Sequence, residues 1–487
     1  MQTLAAPTPD VRLPPATRAR FIVLGFLCSM AFVLYLDRVC IAQALVPMQQ
    51  EFSLTDTHMG MVHMAFTLAY GLFEIPTGRW GDRFGSRRVL TRIVLWWSAF
   101  TALTGCVPYL EVEFLAIPMT LVVLLLIRFL FGGGEAGAIP NSARILMNWF
   151  ASAERGRMQG RFQASMHIGG AIAPLIAAWI IDSRLGWRGT FGIFGAVGVV
   201  WAALFYWWFR DKPGEHPAVN QAEMQIIGMP APASAPAHGP VPWGQALRHP
   251  NVWLLGVTIT MTAFNSYFFF SWYSAYLQKA RDVSNMSAGL LAALALVGAT
   301  CGSLLGGVIA DQINRRAGDR YRARRMLALA AYCSAAACLF ASVNVDTPWF
   351  SAVFCALACF LMFLQLPTWW ACAFDVSGKH TGAMFGLLNG VGVIGAMGSQ
   401  GFFGAFADWR KSLGFEGRQQ WDPAFYASIA LLLMAAFLWQ FIWHRPAIDE
   451  PYGSAETPDK PLESDSMTTA VQSKPSDGSI RKGRSPH

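Results

Sequence analysis

The sequence predicts an all-α membrane protein whose twelve transmembrane helices form two pseudo-symmetric six-helix bundles. Three observations carry that prediction. The 487 residues are 54% apolar and only 14% charged, with a mean hydropathy of +0.37, whereas soluble domains run nearer a quarter charged. Apolar windows of the roughly 20 residues that cross a bilayer recur twelve times and divide six and six around a Pro- and Ala-rich gap. A Gly-x-x-x-Asp element also recurs at matching places in the two halves, Gly78 to Asp82 and Gly307 to Asp311. Disorder, a collagen-like chain and a small disulfide scaffold are excluded by the same composition.

The elements follow in chain order. Residues 1–20 are polar and Pro-rich, lack a short apolar run with a cleavage site, and are expected to stay cytoplasmic while the first span inserts the chain. Spans are expected at 21–45, 57–78, 89–108, 119–141, 159–181 and 190–209, forming an N-terminal bundle over 21–209. Residues 210–250 contain PAPASAPAHGPVP and read as a flexible cytoplasmic linker. Spans at 251–277, 287–310, 326–344, 349–374, 382–404 and 423–443 make the C-terminal bundle over 251–443. Residues 444–487 are polar and are expected to be a disordered cytoplasmic tail.

Sidedness comes from the cations. The loop after span 2 holds Arg79, Arg83, Arg87 and Arg88, and the loop after span 8 holds six arginines from Arg315 to Arg325. The loops after spans 1, 3 and 9 contain no Lys or Arg, so both termini and the linker are expected on the cytoplasmic side of the cell's plasma membrane. The net charge of +8 has no soluble basic domain to carry it, so nucleic acid is not an expected partner. The nine cysteines lie in apolar runs without Cys-x-x-Cys or Cys/His spacing, and no metal site or cofactor is expected. Glycine pairs at GxxxG spacing (Gly133/Gly137, Gly298/Gly302/Gly306, Gly386/Gly390) read as helix-packing surfaces.

Four ionisable residues fall well inside predicted spans: Asp37, Arg38, Arg128 and Glu135. Each costs at least about 2.5–3.5 kcal/mol in the bilayer core, which makes a functional reason the default. Arg128 and Glu135, seven apart, share a helix face; Asp37 and Arg38, adjacent, point about 100° apart. One reading is a buried network that merely satisfies itself. The other is proton coupling: burial disfavours an ionised carboxylate and a nearby guanidinium favours it, so motion of the Arg switches the acid. On that reading Glu135 and Asp37 carry protons, Arg128 holds Glu135 ionised, and Arg38 grips a substrate carboxylate bidentately. His167 and Gln163, four apart, share a face of span 5 and are expected to enter the cavity, where His167 either titrates near neutrality or is a structural hydrogen-bonding group.

The segment GRWGDRFGSRR resembles the loop motif of the major facilitator superfamily at Gly78, Asp82, Arg83, Gly85, Arg87 and Arg88, and the second half carries a partial copy at Gly307 and Asp311. Tyr35-Leu-Asp37-Arg38, Arg128-Phe-Leu-Phe-Gly-Gly-Gly-Glu135 and Asn389-Gly390 further resemble the anion:cation symporter family, over roughly residues 20–443. The resemblance implies the major facilitator fold, a gating latch at the motif, and alternating access in a monomer. It also implies proton-coupled uptake of a small organic anion, a sugar acid or other carboxylate, with Tyr35, Tyr70, Tyr267, Trp369 and Asn389 lining the site. Span 10 (Leu366-Pro-Thr-Trp369-Trp370) and the Gln163-to-His167 segment depart from the sugar-acid pattern. A proton-driven exporter, or a uniporter or exchanger of an organic or aromatic acid, is the alternative within the superfamily, although Ala173-Pro174 lacks the exporters' Gly-rich element. A membrane-embedded enzyme would need a nucleophile elbow, metal set or phosphate loop, and the sequence contains none of these.

Overall fold

The computed structural model describes residues 14–114, 117–228, 241–445 and 447–448. Over these the chain is helical, apart from loops and one short ribbon, β1 (Glu113–Phe114) against β2 (Ile117–Pro118). The first half contains α1 (Ala19–Phe52), α2 (Asp56–Phe84), α3 (Ser86–Gly105), α4 (Met119–Glu135), α5 (Ala138–Trp149), α6 (Ser152–Ile181) and α7 (Gly186–Trp208). Two short helices, α8 (Gln221–Ile227) and α9 (Trp243–Arg248), lead to the second half. It comprises α10 (Pro250–Ser271), α11 (Tyr273–Ala280), α12 (Asn285–Arg316), α13 (Arg320–Asn344), α14 (Pro348–Ser377), α15 (Thr381–Ser412), α16 (Gly417–Trp421) and α17 (Ala424–Trp439). Nine stretches among the described residues are long and apolar enough to cross a membrane, one of them holding both α14 and α15. The more polar α2 and α3 complete a set of twelve.

Local chemistry sets the element ends. The Thr55 hydroxyl accepts from the His58 N–H and caps α2. Gly85, at φ +80°, ends α2 and starts α3 in a reversal that a side chain would strain. Span 4, expected as one helix, is two. Pro140 has no N–H for the Ala136 carbonyl and its ring crowds that group, and Gly137 lies in the gap, so α4 stops at Glu135 and α5 starts at Ala138.

The two halves pack alike. In the first, α1 lies on α6, α2 on α4, and α3 on α7 and α4; in the second, α10 lies on α15, α12 on α14, and α13 on α17 and α14. The halves meet chiefly where α2 packs on α15 and α6 on α12. The α12–α14 seam is a backbone contact: a Cβ at Gly298, Gly302 or Gly306 would run into the carbonyls of Ala356, Phe360 and Leu364 in turn. Gly133 and Gly137 are likewise closely faced, by Phe73 and by Thr77 and Ile93. Gly386 and Gly390 depart from the expectation, because nothing lies within 4 Å of a Cβ at either. They border open space and are not a packing surface.

The first part of the linker is anchored to the N-terminal bundle. The Glu223 carboxylate is buried and accepts from the backbone N–H groups of Ala19 (3.2 Å) and Arg20 (3.1 Å). An anion at a helix N-terminus is favourable, so this side chain clamps the linker onto the start of α1. Residues 229–240 of the linker, most of 1–20 and most of the tail lie outside the described residues.

Candidate functional site

A cavity of about 870 Å³ lies between the halves. From its deepest residues it runs toward the end of the molecule that carries the Arg-rich connections α2–α3 and α12–α13, reaching Gln159 near the start of α6 and the exposed Asp311 near the end of α12. The opposite end is closed by contacts between the halves. Gln43 of α1 donates to the Asn285 carbonyl (2.9 Å) and accepts from Ser274 Oγ (2.7 Å). Lys279 pairs with Asp56, and the Asp408 carboxylate on α15 accepts from the backbone N–H groups of Asp56 (3.2 Å) and Thr57 (2.7 Å) at the start of α2.

Arg38 and Arg128 line the N-terminal wall of this cavity, with Glu135 behind Arg38, in an arrangement different from the expected one. Glu135 pairs with Arg38, whose Nε donates to Oε1 at 3.0 Å and whose Nη2 donates to the same oxygen. The second carboxylate oxygen, Oε2, finds no partner among the described residues. The expected Arg128–Glu135 pair is absent from the described ion pairs. Seven residues of helix rise about 10.5 Å, so a shared face leaves the two groups two turns apart, whereas the long Arg38 side chain reaches across from α1. Arg128, 1% exposed, lies over the rings of Phe131 (4.5 Å) and Phe66 (5.2 Å), and its Nε has no partner among the described residues. Arg38 is ringed by Tyr70 (4.8 Å), Phe66 (5.2 Å) and Tyr35 (5.3 Å). Both guanidinium groups line the cavity, held by cation–π contacts that leave donors for an anion.

Asp37 points the other way, as adjacency to Arg38 on a helix requires. Its carboxylate is buried toward Trp97 and Thr101 of α3. Neither carboxylate oxygen, nor Trp97 Nε1, nor Thr101 Oγ1 completes a hydrogen bond among the described residues. Asp37 can therefore act on the cavity only through its neighbours.

The remaining candidates divide. Tyr35, Gln163, His167 and Tyr267 line the cavity, and Tyr70 touches it through Arg38. Asn389 is on the exposed side of α15, donating to Glu74 of α2 (2.8 Å). Trp369 turns away: it is buried, and its indole N–H donates to the Leu255 carbonyl (3.0 Å). Its neighbour Trp370 faces the cavity and stacks on Phe385 at 4.4 Å and 18°. Adjacent residues on α14 point about 100° apart, so only one of the pair can face the cavity, and sequence periodicity does not resolve which. His63, to which sequence reasoning gives less weight than His167, also stands in the cavity wall with its Nε2 unpartnered among the described residues, and Gln400, which sequence reasoning missed, lies there too.

In the loop motif, a Cβ at Gly78 would press on Pro140 at 3.3 Å, which accounts for glycine where α2 crosses α5. Arg87 donates through Nε to the Tyr206 carbonyl (2.9 Å) and lies over the Tyr206 ring, while Asp211, which the motif does not include, accepts from the Arg87 N–H (2.9 Å) at the start of α3. Arg83 stacks on Phe84, Arg88 is exposed, and Gly85 abuts Asp211. The Asp82 side chain lies outside the described residues. Asp311, its counterpart, is exposed at the cavity mouth.

Comparison with known proteins gives a consistent picture. Residues 27–400 match the family model of the Major Facilitator Superfamily. A protein named "Probable sulfoacetate transporter" of Cupriavidus necator is 30% identical over 436 residues, 89% of this chain and 96% of the relative. A "Probable galactarate/D-glucarate transporter" of Escherichia coli is 30% identical over 392 residues, 78% of this chain and 85% of the relative. Among solved structures, a bacterial homolog of the human lysosomal transporter Spinster shares the fold with a TM-score of 0.69 at 19% identity, over 86% of this chain and 96% of that one. The D-xylose–proton symporter gives 0.64 at 13% identity, over 88% and 98%.

Proposed function

Because the chain belongs to the Major Facilitator Superfamily, and is a multi-pass membrane transporter and not an enzyme, we propose that it takes up a small organic anion with protons by alternating access. The observation that carries this reading is the Arg38–Glu135 pair at the cavity wall, next to Arg128, which lines the cavity and makes no ion pair among the described residues. The relatives named for sulfoacetate and for galactarate and glucarate support an anion.

The chemistry is a competition. While Glu135 is ionised it occupies Arg38. A proton on Glu135 removes that partner, and a substrate carboxylate or sulfonate takes its place between Arg38 and Arg128, where charge-assisted bonds are strongest. With Asp37 and Glu135 both ionised, the four buried charges sum to zero. Each proton adds one positive charge, so the loaded site suits an anion. Substrate and proton thus bind together, and release toward a less acidic interior lets Glu135 recapture Arg38. The cavity's opening toward the Arg-rich end matches the releasing state if that end is cytoplasmic, as the cation bias argues, with the plasma membrane as the location. Asp37, behind α1, serves as a second proton site that senses the cavity through α3 and Arg128.

The test uses purified protein in proteoliposomes with an inward proton gradient. Glu135→Gln and Asp37→Asn are each expected to abolish uphill accumulation of the transported anion while Glu135→Gln retains anion exchange at equal pH. Undiminished proton-driven accumulation in both variants would overturn the scheme.

A further inference from the structure

Resting on the organic-anion reading of the cavity, we propose that the anion it favours is an aromatic carboxylate, with the carboxylate at Arg38 and Arg128 and the ring against α14 and α15. The two walls of the cavity differ in kind. The N-terminal wall holds the guanidinium groups and, around them, His63, Gln163 and His167. The facing wall is built from Phe270, Phe363, Leu366, Trp370, Phe374 and Phe385.

The polar groups on that wall are largely committed. Gln400 donates to Ser271 Oγ (3.1 Å) and accepts from Thr67 Oγ1 (2.9 Å). That leaves Tyr267 and Ser303 as polar lining side chains there before the exposed Asp311 at the mouth. The aromatic residues form a continuous ladder: Trp369 meets Trp370 edge-on at 4.8 Å, Trp370 stacks on Phe385, and Phe374 follows at 4.7 Å.

A sugar acid brings hydroxyls on both faces. Each one turned to this wall gives up water without a partner, which costs roughly tenfold in affinity. A two-carbon sulfonate satisfies the arginines but leaves the aromatic wall and most of the 870 Å³ unfilled. A ring bearing a carboxylate meets both walls, because its flat face can stack in the offset manner that aromatic side chains favour. Discrimination then comes from Trp370 and Phe385 more than from the arginines, which any anion would engage.

The experiment measures binding to the purified full chain by ligand-induced thermal stabilisation. The probes are phenylacetate, benzoate and phthalate against galactarate, gluconate and sulfoacetate, with benzyl alcohol as the uncharged aromatic. At least one aromatic carboxylate is expected to bind about tenfold or more tightly than every sugar acid and sulfoacetate. Trp370→Ala should lower its affinity about tenfold and leave that of galactarate within about twofold, while Trp370→Phe restores most of the loss. Tighter binding of galactarate or sulfoacetate, equal loss for all anions in Trp370→Ala, or no binding by any aromatic carboxylate would overturn the aromatic assignment. The anion reading has a separate failure: benzyl alcohol binding as tightly as phenylacetate, with no effect of Arg128→Gln on either.

Discussion

At the scale of single residues, two guanidinium groups in one cavity wall have different surroundings. Arg38 is engaged by Glu135, while Arg128 lies over aromatic rings and makes no ion pair among the described residues. Arg128→Lys keeps the charge but loses the planar fork and the stacking on Phe131. It is expected to weaken anion binding about tenfold or more, read as a loss of ligand-induced thermal stabilisation, with folding retained. Equal affinity in Arg128→Lys would mean that a point charge suffices there. The four intramembrane charges were legible in the sequence because an ionisable group in an apolar run carries its own cost and so announces itself. Their pairing was not. Shared helical phase suggested Arg128 with Glu135, yet phase says nothing of distance along the axis, and the partner came from another helix. The choice between Trp369 and Trp370 failed for a related reason: adjacent residues differ by about 100°, and the apolar run around them on α14 marks no single face.

At the scale of elements, glycine spacing proved ambiguous in the same way. Gly298, Gly302 and Gly306 form a seam against α14 carbonyls, but Gly386 and Gly390, with the same spacing, face open space. GxxxG states that a smooth stripe exists and leaves open what meets it. Gly302→Ala is therefore expected to cost about 1–3 kcal/mol through overpacking, seen as a lower thermal midpoint. Gly390→Ala should be neutral or slightly stabilising, since the added methyl meets nothing and glycine is the poorer helix former. Matching losses in the two variants would refute the seam. Twelve spans and their six-and-six division could be read from hydropathy, whereas the interruption of span 4 depends on Pro140 acting four residues upstream on Ala136. That break places Glu135, the acid proposed to couple protons, at the last residue of α4 and not within a continuous span.

At the scale of the whole molecule, the cavity is open toward the Arg-rich end because the other end is latched. Lys279–Asp56 and the Asp408 carboxylate at the start of α2 tie the second half to the first. Lys279→Gln combined with Asp408→Asn should shift the population toward opening at that end. Labelling of a cysteine placed at Tyr267 by a membrane-impermeant thiol reagent from that side is expected to rise on the order of three- to tenfold, the change that roughly 0.7–1.4 kcal/mol supplies. Unchanged labelling would assign the closure to other contacts, such as Gln43 with Asn285. In the proposed cycle, the latch and the charged wall work together and Arg38 is passed between Glu135 and the substrate. The most direct measurement of that exchange is the affinity for the transported anion as a function of pH, in the wild-type protein and in Glu135→Gln. Competition for Arg38 requires wild-type affinity to weaken as rising pH ionises Glu135, and requires Glu135→Gln to bind near the tight, low-pH level with only the weaker pH dependence that Asp37 leaves. Identical pH dependence in the two proteins would contradict it.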